Sequence, residues 1–241
     1  MTENGEVQLV RAPASLAAPE PRVVAPPGVY TPGRDTALLL RALGTEPVDG
    51  SSTVLDLGTG SGILALHAAR SGAAVTAVDV SWRAVWTARL NARMARTSVR
   101  VRRHDLGSTK GLDSVRRLGP FDLVLSNPPY VPSPQQPPHR GEAQAWDGGP
   151  VGRAVVGRVC DAAAQVLRPS GTLLMVHSAL CGEEETLQHL AHLGMKGAVV
   201  DRAFVPFGPV MLDRRNWLCG RGLLDREAAS EELVVVRAQR V

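Results

Sequence analysis

Aromatic residues are scarce: four Trp, two Tyr and three Phe in 241 residues. Any aromatic side chain inside a motif therefore carries weight. Cysteine is scarcer still, and Cys160, Cys181 and Cys219 lie far apart with no Cys-x-x-Cys pair. That spacing argues against a zinc site, the odd count argues against a disulfide framework, and both suit a reducing cytoplasm. No run approaches the about 20 apolar residues of a membrane-spanning helix. The first 20 residues carry Glu3, Glu6 and Glu20 in place of the apolar core of a signal peptide. No membrane association is expected. His189 and His192 stand near one another without a third ligand, so no metal is expected either.

What is present suits a globular chain: 44% hydrophobic and 21% charged residues, and length enough for one sizeable core with a short extra segment. Residues 1–27, rich in Ala and Pro, read as an N-terminal extension, with residues 7–10 or 23–24 as a short edge strand. Residues 28–241 read as the domain. The net charge is +4, and arginine dominates the cations. Arg93, Arg96, Arg100, Arg102 and Arg103 form a cluster that would attract nucleic acid or another acidic partner. No aromatic residue interleaves with it, which makes a solvated face the simpler reading.

The chain is organised around residues 53–69. Val54, Leu55 and Leu57 read as a buried strand, Gly58-Thr59-Gly60-Ser61-Gly62 as a turn, and Ile63, Leu64, Leu66 and Ala69 as a helix face. Glycines let the backbone turn tightly and let a ligand lie close to it. The free N–H groups at the helix start suit a carboxylate or a phosphate. A dinucleotide fingerprint needs Gly-x-Gly-x-x-Gly, and here its third glycine is replaced by Ile63. A second strand over residues 73–78 ends at Asp79, about 20 residues past the first glycine, where an acid meets ribose hydroxyls.

Upstream, residues 37–43 read as a helix capped by Asp35 or Thr36. Downstream come a helix over 81–94, a strand over 99–101 leading to Asp105 and Leu106, a short helix within 107–119 and a central strand over 121–125. Helices over 155–167 and 183–193 follow, the first stopped by Pro169-Ser170-Gly171 and the second by Gly194. Strands over 172–176, 198–207 and 232–237 complete the pattern, the last two as an antiparallel pair. Residues 208–230 match no pattern, and Trp217 there reads as core or as a cover over the site.

The central strand runs into Asn127-Pro128-Pro129-Tyr130. Two prolines force the chain out of the ladder and stiffen it, at the carboxyl end of the sheet where open α/β folds place ligands. Asn127 offers a side-chain carbonyl and Pro128 a main-chain carbonyl. Two fixed acceptors suit a planar NH2 group, against which Tyr130 can pack. An amide or exocyclic nitrogen is a poor nucleophile. Accepting both of its hydrogens raises its electron density, aims it, and stabilises the charge that develops on transfer.

Asp56-x-Gly58-x-Gly60-x-Gly62 resembles the first motif of the S-adenosylmethionine (SAM) methyltransferases. Tyr30-x-Pro32-x-x-Asp35-Thr36, Asn127-Pro128-Pro129-Tyr130, and Glu142 followed by Trp146-Asp147-Gly148-Gly149-x-x-Gly152-Arg153 resemble the HemK-like protein glutamine methyltransferases, in their short form without an N-terminal helical domain. The resemblance spans residues 30–207. It implies a Rossmann-like α/β fold with a seven-stranded, mostly parallel sheet, helices on both faces and a C-terminal antiparallel strand. It also implies SAM as cofactor, held by Asp56, Gly58, Thr59, Gly60, Gly62 and Asp79, with Asp105 and Leu106 at the adenine and Thr36 and Asn127 near the methionine end. By the same resemblance Asn127, Pro128, Pro129 and Tyr130 form the catalytic motif, and Glu142 and Trp146 line the substrate entrance. The implied activity is N5-methylation of a protein glutamine, such as one in a translation release factor, with a small activator subunit as partner in some members. A second reading is methylation of an exocyclic amine in RNA or DNA, and a third is a SAM-binding subunit without catalysis.

Overall fold

A computed structural model describes residues 22–136 and 141–241. Helix and strand alternate along it: α1 (Arg34–Leu43), β1 (Thr53–Leu57), α2 (Ile63–Arg70), β2 (Ala74–Asp79), α3 (Trp82–Met94), β3 (Val99–Arg103), α4 (Thr109–Arg116) and β4 (Phe121–Ser126). The second half contributes α5 (Ala154–Val166), β5 (Leu167–Ser178), α6 (Glu183–His192), β6 (Met195–Pro206), α7 (Pro209–Gly220) and β7 (Ser230–Arg240). The strands make one sheet in the order β3-β2-β1-β4-β5-β7-β6. The pairs from β3 to β5 are parallel, and β7 runs antiparallel to both β5 and β6. The implied fold class is therefore the observed one.

Strand side chains alternate between two apolar layers, as the period of two requires. Val54, Leu123, Leu125 and Leu174 face the layer holding α1, α2 and α3. Leu55, Leu57, Val124 and Leu173 face the layer holding α4, α5 and α6. Each such fully buried leucine contributes about 1.5–3 kcal/mol relative to exposure. Strand order reverses between β1 and β4, which opens a crevice at their carboxyl ends.

Several expectations need correction. Neither Asp35 nor Thr36 holds the cap position of α1: the helix starts at Arg34 and takes both into its first turn, and Gly33 stands at the cap without a side-chain bond. Residues 23–24 form no strand; the Val24 N–H and C=O are both held by the side chain of Asn91 on α3. Residues 7–10 lie outside the described residues. The strand expected over 172–176 starts earlier, at Leu167, directly after α5, and Pro169, Ser170 and Gly171 sit in its irregular portion, where pairing jumps from Phe121–Leu167 to Leu123–Thr172. Residues 208–230 contain α7, where the half-buried Trp217 packs against a small cluster of Met211, Leu218 and Phe207, and it lines neither cavity described below.

The arginine cluster sits on the β3 edge and the outer face of α3, and aromatic rings do stand beside it. The Arg103 guanidinium lies 5.6 Å from the Trp82 ring and that of Arg89 5.1 Å from the Trp86 ring. The fold brings together partners that sequence order separates by about 20 residues in one case. Among the described residues, no helix is long and apolar enough to cross a membrane, and no group of three His, Cys, Asp or Glu could hold a metal.

Candidate active site

The crevice at the strand tips holds two adjoining cavities. The larger, about 360 Å³, runs over the glycine turn between β1 and α2. Gly58 and Gly60 adopt positive φ, +73° and +53°, which only glycine takes without strain. A Cβ on Gly58 would meet no protein atom within 4 Å, so glycine there leaves bare main chain facing the cavity it lines. The Gly58 and Thr59 N–H groups donate to Val78 O at 2.9 and 3.0 Å, which docks the turn on β2. At the tip of β2, Asp79 accepts from the Gly60 N–H at 3.0 Å and the Ser81 N–H at 2.8 Å. Burial pushes its carboxyl up, and these bonds oppose the shift. A carboxylate accepts about four hydrogen bonds, so Asp79 keeps capacity for hydroxyl groups.

Thr36, Thr59, Asp105, Leu106 and Asn127 also line this cavity. Asp105 accepts the Gly107 N–H at 2.8 Å. The bare turn and the two strand-end acids fit a nucleoside with a charged tail. Two of the expected cofactor residues do not line the cavity. Gly62 backs onto α3, where an added Cβ would come 3.0 Å from the Ala88 Cβ, so its lack of a side chain lets α2 approach α3. Asp56 is buried beneath the turn. Its Oδ2 accepts the Thr59 hydroxyl at 2.6 Å and the Ala65 N–H at 3.2 Å. Burial raises its pKa to about 7. Asp56 braces the turn from below.

The smaller cavity, about 210 Å³, shares Tyr30, Asn127, Pro129 and Ala145 with the larger. Asn127 thus stands where the two meet. Pro128, Tyr130 and Trp146 line the smaller side. Glu142 lines neither cavity; it is exposed at the start of a short 3-10 turn, Glu142–Ala145.

Asp35 ties this junction together. Its carboxylate accepts from the Tyr30 hydroxyl at 2.7 and 2.8 Å, the Thr36 N–H at 2.6 Å, the Tyr130 hydroxyl at 3.0 Å and the Asn127 Nδ2 at 3.1 Å. The Asn127 Nδ2 also donates to the Thr36 hydroxyl at 3.2 Å. A carboxylate can only accept, so it dictates which end of the Asn127 amide faces it. The nitrogen turns to Asp35, and Oδ1 is left as the acceptor on the other side. Burial first, and Asp35 second, hold the phenols of Tyr30 and Tyr130 well above the ordinary tyrosine value, so both remain donors.

The loop carrying this motif is clamped from the C-terminal part of the chain. Arg214 on α7 pairs with Asp147 at 2.5 Å and donates to Pro132 O at 3.0 Å. The Cys181 thiol donates to Tyr130 O at 3.1 Å. Sequence reasoning missed three contributors. Asp35 carries a motif and a cap reading in the sequence, but neither ties it to Asn127 or Tyr130. Gly208, Pro209, Val210 and Met211 at the start of α7 line the smaller cavity and carry no motif. Glu231 lines it too, and had a signal: it is in phase with the buried Leu233 and Val235 on β7.

Comparison with known proteins agrees with this geometry. Residues 20–195 match the family model described as methyltransferase small domain. A Methanocaldococcus jannaschii protein, provisionally named a protein N5-glutamine methyltransferase, is 33% identical over 189 residues, 77% of this chain and 90% of that protein. The release factor glutamine methyltransferase of Mycolicibacterium smegmatis is 38% identical over 158 residues. The chain spans 54% of that protein, about half its length. Mouse methyltransferase HEMK2 is 34% identical over 175 residues, 70% of this chain and 80% of that protein. Among solved structures, the E. cuniculi Mtq2–Trm112 complex, responsible for methylation of the eRF1 translation termination factor, superposes with a TM-score of 0.58 at 24% identity. That match covers 89% of this chain and 99% of the other and is a likeness of fold.

Proposed function

The chain belongs to the methyltransferase small domain family, among its HemK-like, SAM-dependent methyltransferases, and from that premise we propose that it methylates the N5 nitrogen of a glutamine side chain in a translation release factor. The observation that carries the reading is the Asn127 amide, fixed by Asp35 and Thr36 at the junction of the two cavities with Oδ1 left to accept.

SAM supplies an activated methyl group on a sulfonium centre. Gly58, Gly60, Asp79 and Asp105 line the cavity assigned to it, and Asp56 supports the turn from behind. In the smaller cavity Asn127 Oδ1 and the Pro128 carbonyl accept the two hydrogens of the incoming amide nitrogen. Those two bonds oppose delocalisation of its lone pair into the neighbouring carbonyl. They also stabilise positive charge as it develops on nitrogen, which is worth most where the acceptors are already oriented. Holding nitrogen and methyl in line removes much of the entropic part of the barrier. The nitrogen, once methylated, would be acidic and would give its extra proton to solvent water.

The free cysteines suit a reducing cytoplasm, where release factors work. A small activator subunit belongs to the same reading, and co-purification from cells would reveal it. The arginine and tryptophan face at the β3 edge supports a second reading, an exocyclic amine in RNA. One experiment separates them. The protein is incubated with radiolabelled SAM and a cell lysate, and the product is treated with protease or nuclease. Protease-sensitive label mapping to a glutamine is expected; label lost to nuclease overturns the glutamine assignment.

A further inference from the structure

Glu231 is buried, 7% exposed, in the wall of the smaller cavity. Its carboxyl is bonded by the Ser178 side chain, yet Oε2 has no hydrogen-bond partner. Its neighbour Glu232 points outward and pairs with Arg202. Asp35 of α1, Tyr30 ahead of it, Tyr130 after β4 and Cys181 after β5 interact electrostatically with Glu231, and none of these four is a cation. A carboxylate so placed bears a desolvation penalty that an N–H arriving in the cavity would relieve.

We propose that Glu231 is a specificity-determining residue of the acceptor site, its carboxyl, one oxygen of which is unpartnered, accepting a main-chain N–H of the polypeptide that carries the target amide. The inference rests on the smaller cavity being the acceptor's. A polypeptide offers an N–H at nearly every residue beside its side-chain amide. Adenine offers none: its amino group is flanked by the lone pairs of N1 and N7, which a carboxylate repels. Cytosine is little better, with a lone pair on one side and a C–H on the other. Glu231 thus favours protein over adenine and cytosine, though not over guanine, whose N1–H stands beside its amino group, at a site whose Asn127 and Pro128 carbonyls would serve any of them.

The test compares wild type, Glu231→Ala and Glu231→Gln with a purified translation release factor and, separately, an adenine-containing oligonucleotide. Glu231→Ala is expected to raise the KM for the release factor about 10- to 100-fold, the size of one hydrogen bond to a charged group. Its kcat and SAM affinity stay within a few-fold. Glu231→Gln, which keeps shape and one acceptor, recovers part of the loss. In wild type, kcat/KM for the release factor rises with pH as the carboxyl ionises, and that limb disappears in Glu231→Gln. An unchanged KM in Glu231→Ala, or an acid limb persisting in Glu231→Gln, overturns the role of Glu231 while leaving the glutamine reading intact. Transfer by wild type to the oligonucleotide and not to the release factor overturns both.

Discussion

Replacing Asp35 by Asn tests the central geometric claim, because it changes one oxygen to an NH2 group and almost no volume. Asp35 Oδ1 faces the Thr36 N–H and the Tyr30 hydroxyl, and Oδ2 faces the Asn127 Nδ2 and the hydroxyls of Tyr30 and Tyr130. An amide must aim its nitrogen at one of these two sets of donors. The Thr36 N–H is fixed main chain, whereas the Asn127 amide can rotate. The variant therefore keeps its oxygen towards Thr36 and turns its nitrogen to Asn127, which flips to offer Oδ1. The Asn127 Nδ2 then faces the acceptor cavity and meets the substrate's own N–H groups. Losing one pre-oriented acceptor of this kind costs about 10²- to 10³-fold in kcat. The fold should suffer less. Loss of charge-assisted bonds costs about 1.5–3 kcal/mol, partly offset because no charge is left buried, and a chain of this length loses about 2–4 °C of melting temperature per kcal/mol. The assay is single-turnover methyl transfer to the release factor with saturating SAM, alongside SAM affinity and thermal melting. SAM affinity should hold within a few-fold, since Asp35 does not line the larger cavity. A variant that melts earlier yet transfers methyl at more than about a third of the wild-type rate would refute the argument that Asp35 sets the Asn127 amide.

Asn127→Ala should abolish turnover while leaving SAM affinity nearly intact; a fully active variant contradicts the assigned role. The two glycines at either end of the turn should part company. Gly58→Ala, besides the backbone strain both sites share, adds a methyl group in the open cavity and should weaken SAM binding in equilibrium titration, whereas Gly62→Ala also drives a Cβ against Ala88 and should lower the melting temperature more. Equal losses of affinity from both would show that the third glycine also meets the cofactor. Because burial lifts Asp56 to about 7, the folded chain holds that proton more tightly than the unfolded chain. Stability should therefore fall as the pH rises from about 4 to about 7. In Asp56→Asn one oxygen can still accept from both Thr59 and Ala65, so denaturant titrations should show that fall reduced, Asp79 and Glu231 keeping their shares, and SAM affinity unchanged; a large loss of affinity would return Asp56 to the binding surface.

Sequence periodicity carried the sheet and its helices because each strand tip coincides with a change of chemistry: glycines after Leu57, an acid after Val78, prolines after Ser126. It failed where one residue serves a partner far along the chain. Asp35 read as a cap because a carboxylate before a leucine run has a local use, and nothing local reveals Asn127 or Tyr130 across 92 and 95 residues. Asp56 read as a ligand because the motif includes it, although a strand residue two before Gly58 can point under the turn. The tryptophans of α3 escaped notice beside the arginines for the same reason: Trp82 meets Arg103 only once β2 and β3 lie side by side. The start of α7 could not be found at all, since an apolar helix start looks alike whether it faces core or cavity.

The donor chamber draws its lining from residues 28–158, while the chamber beside it borrows a wall from Gly208, Pro209, Val210, Met211 and Glu231. On the proposed assignment, the part of the acceptor wall that the cofactor chamber does not share comes largely from a later stretch of the polypeptide. Drift in the final quarter can change which macromolecule is served without disturbing the machinery common to all of them. Chimeras that exchange only this tail between diverged relatives would inherit the clientele of the tail's parent.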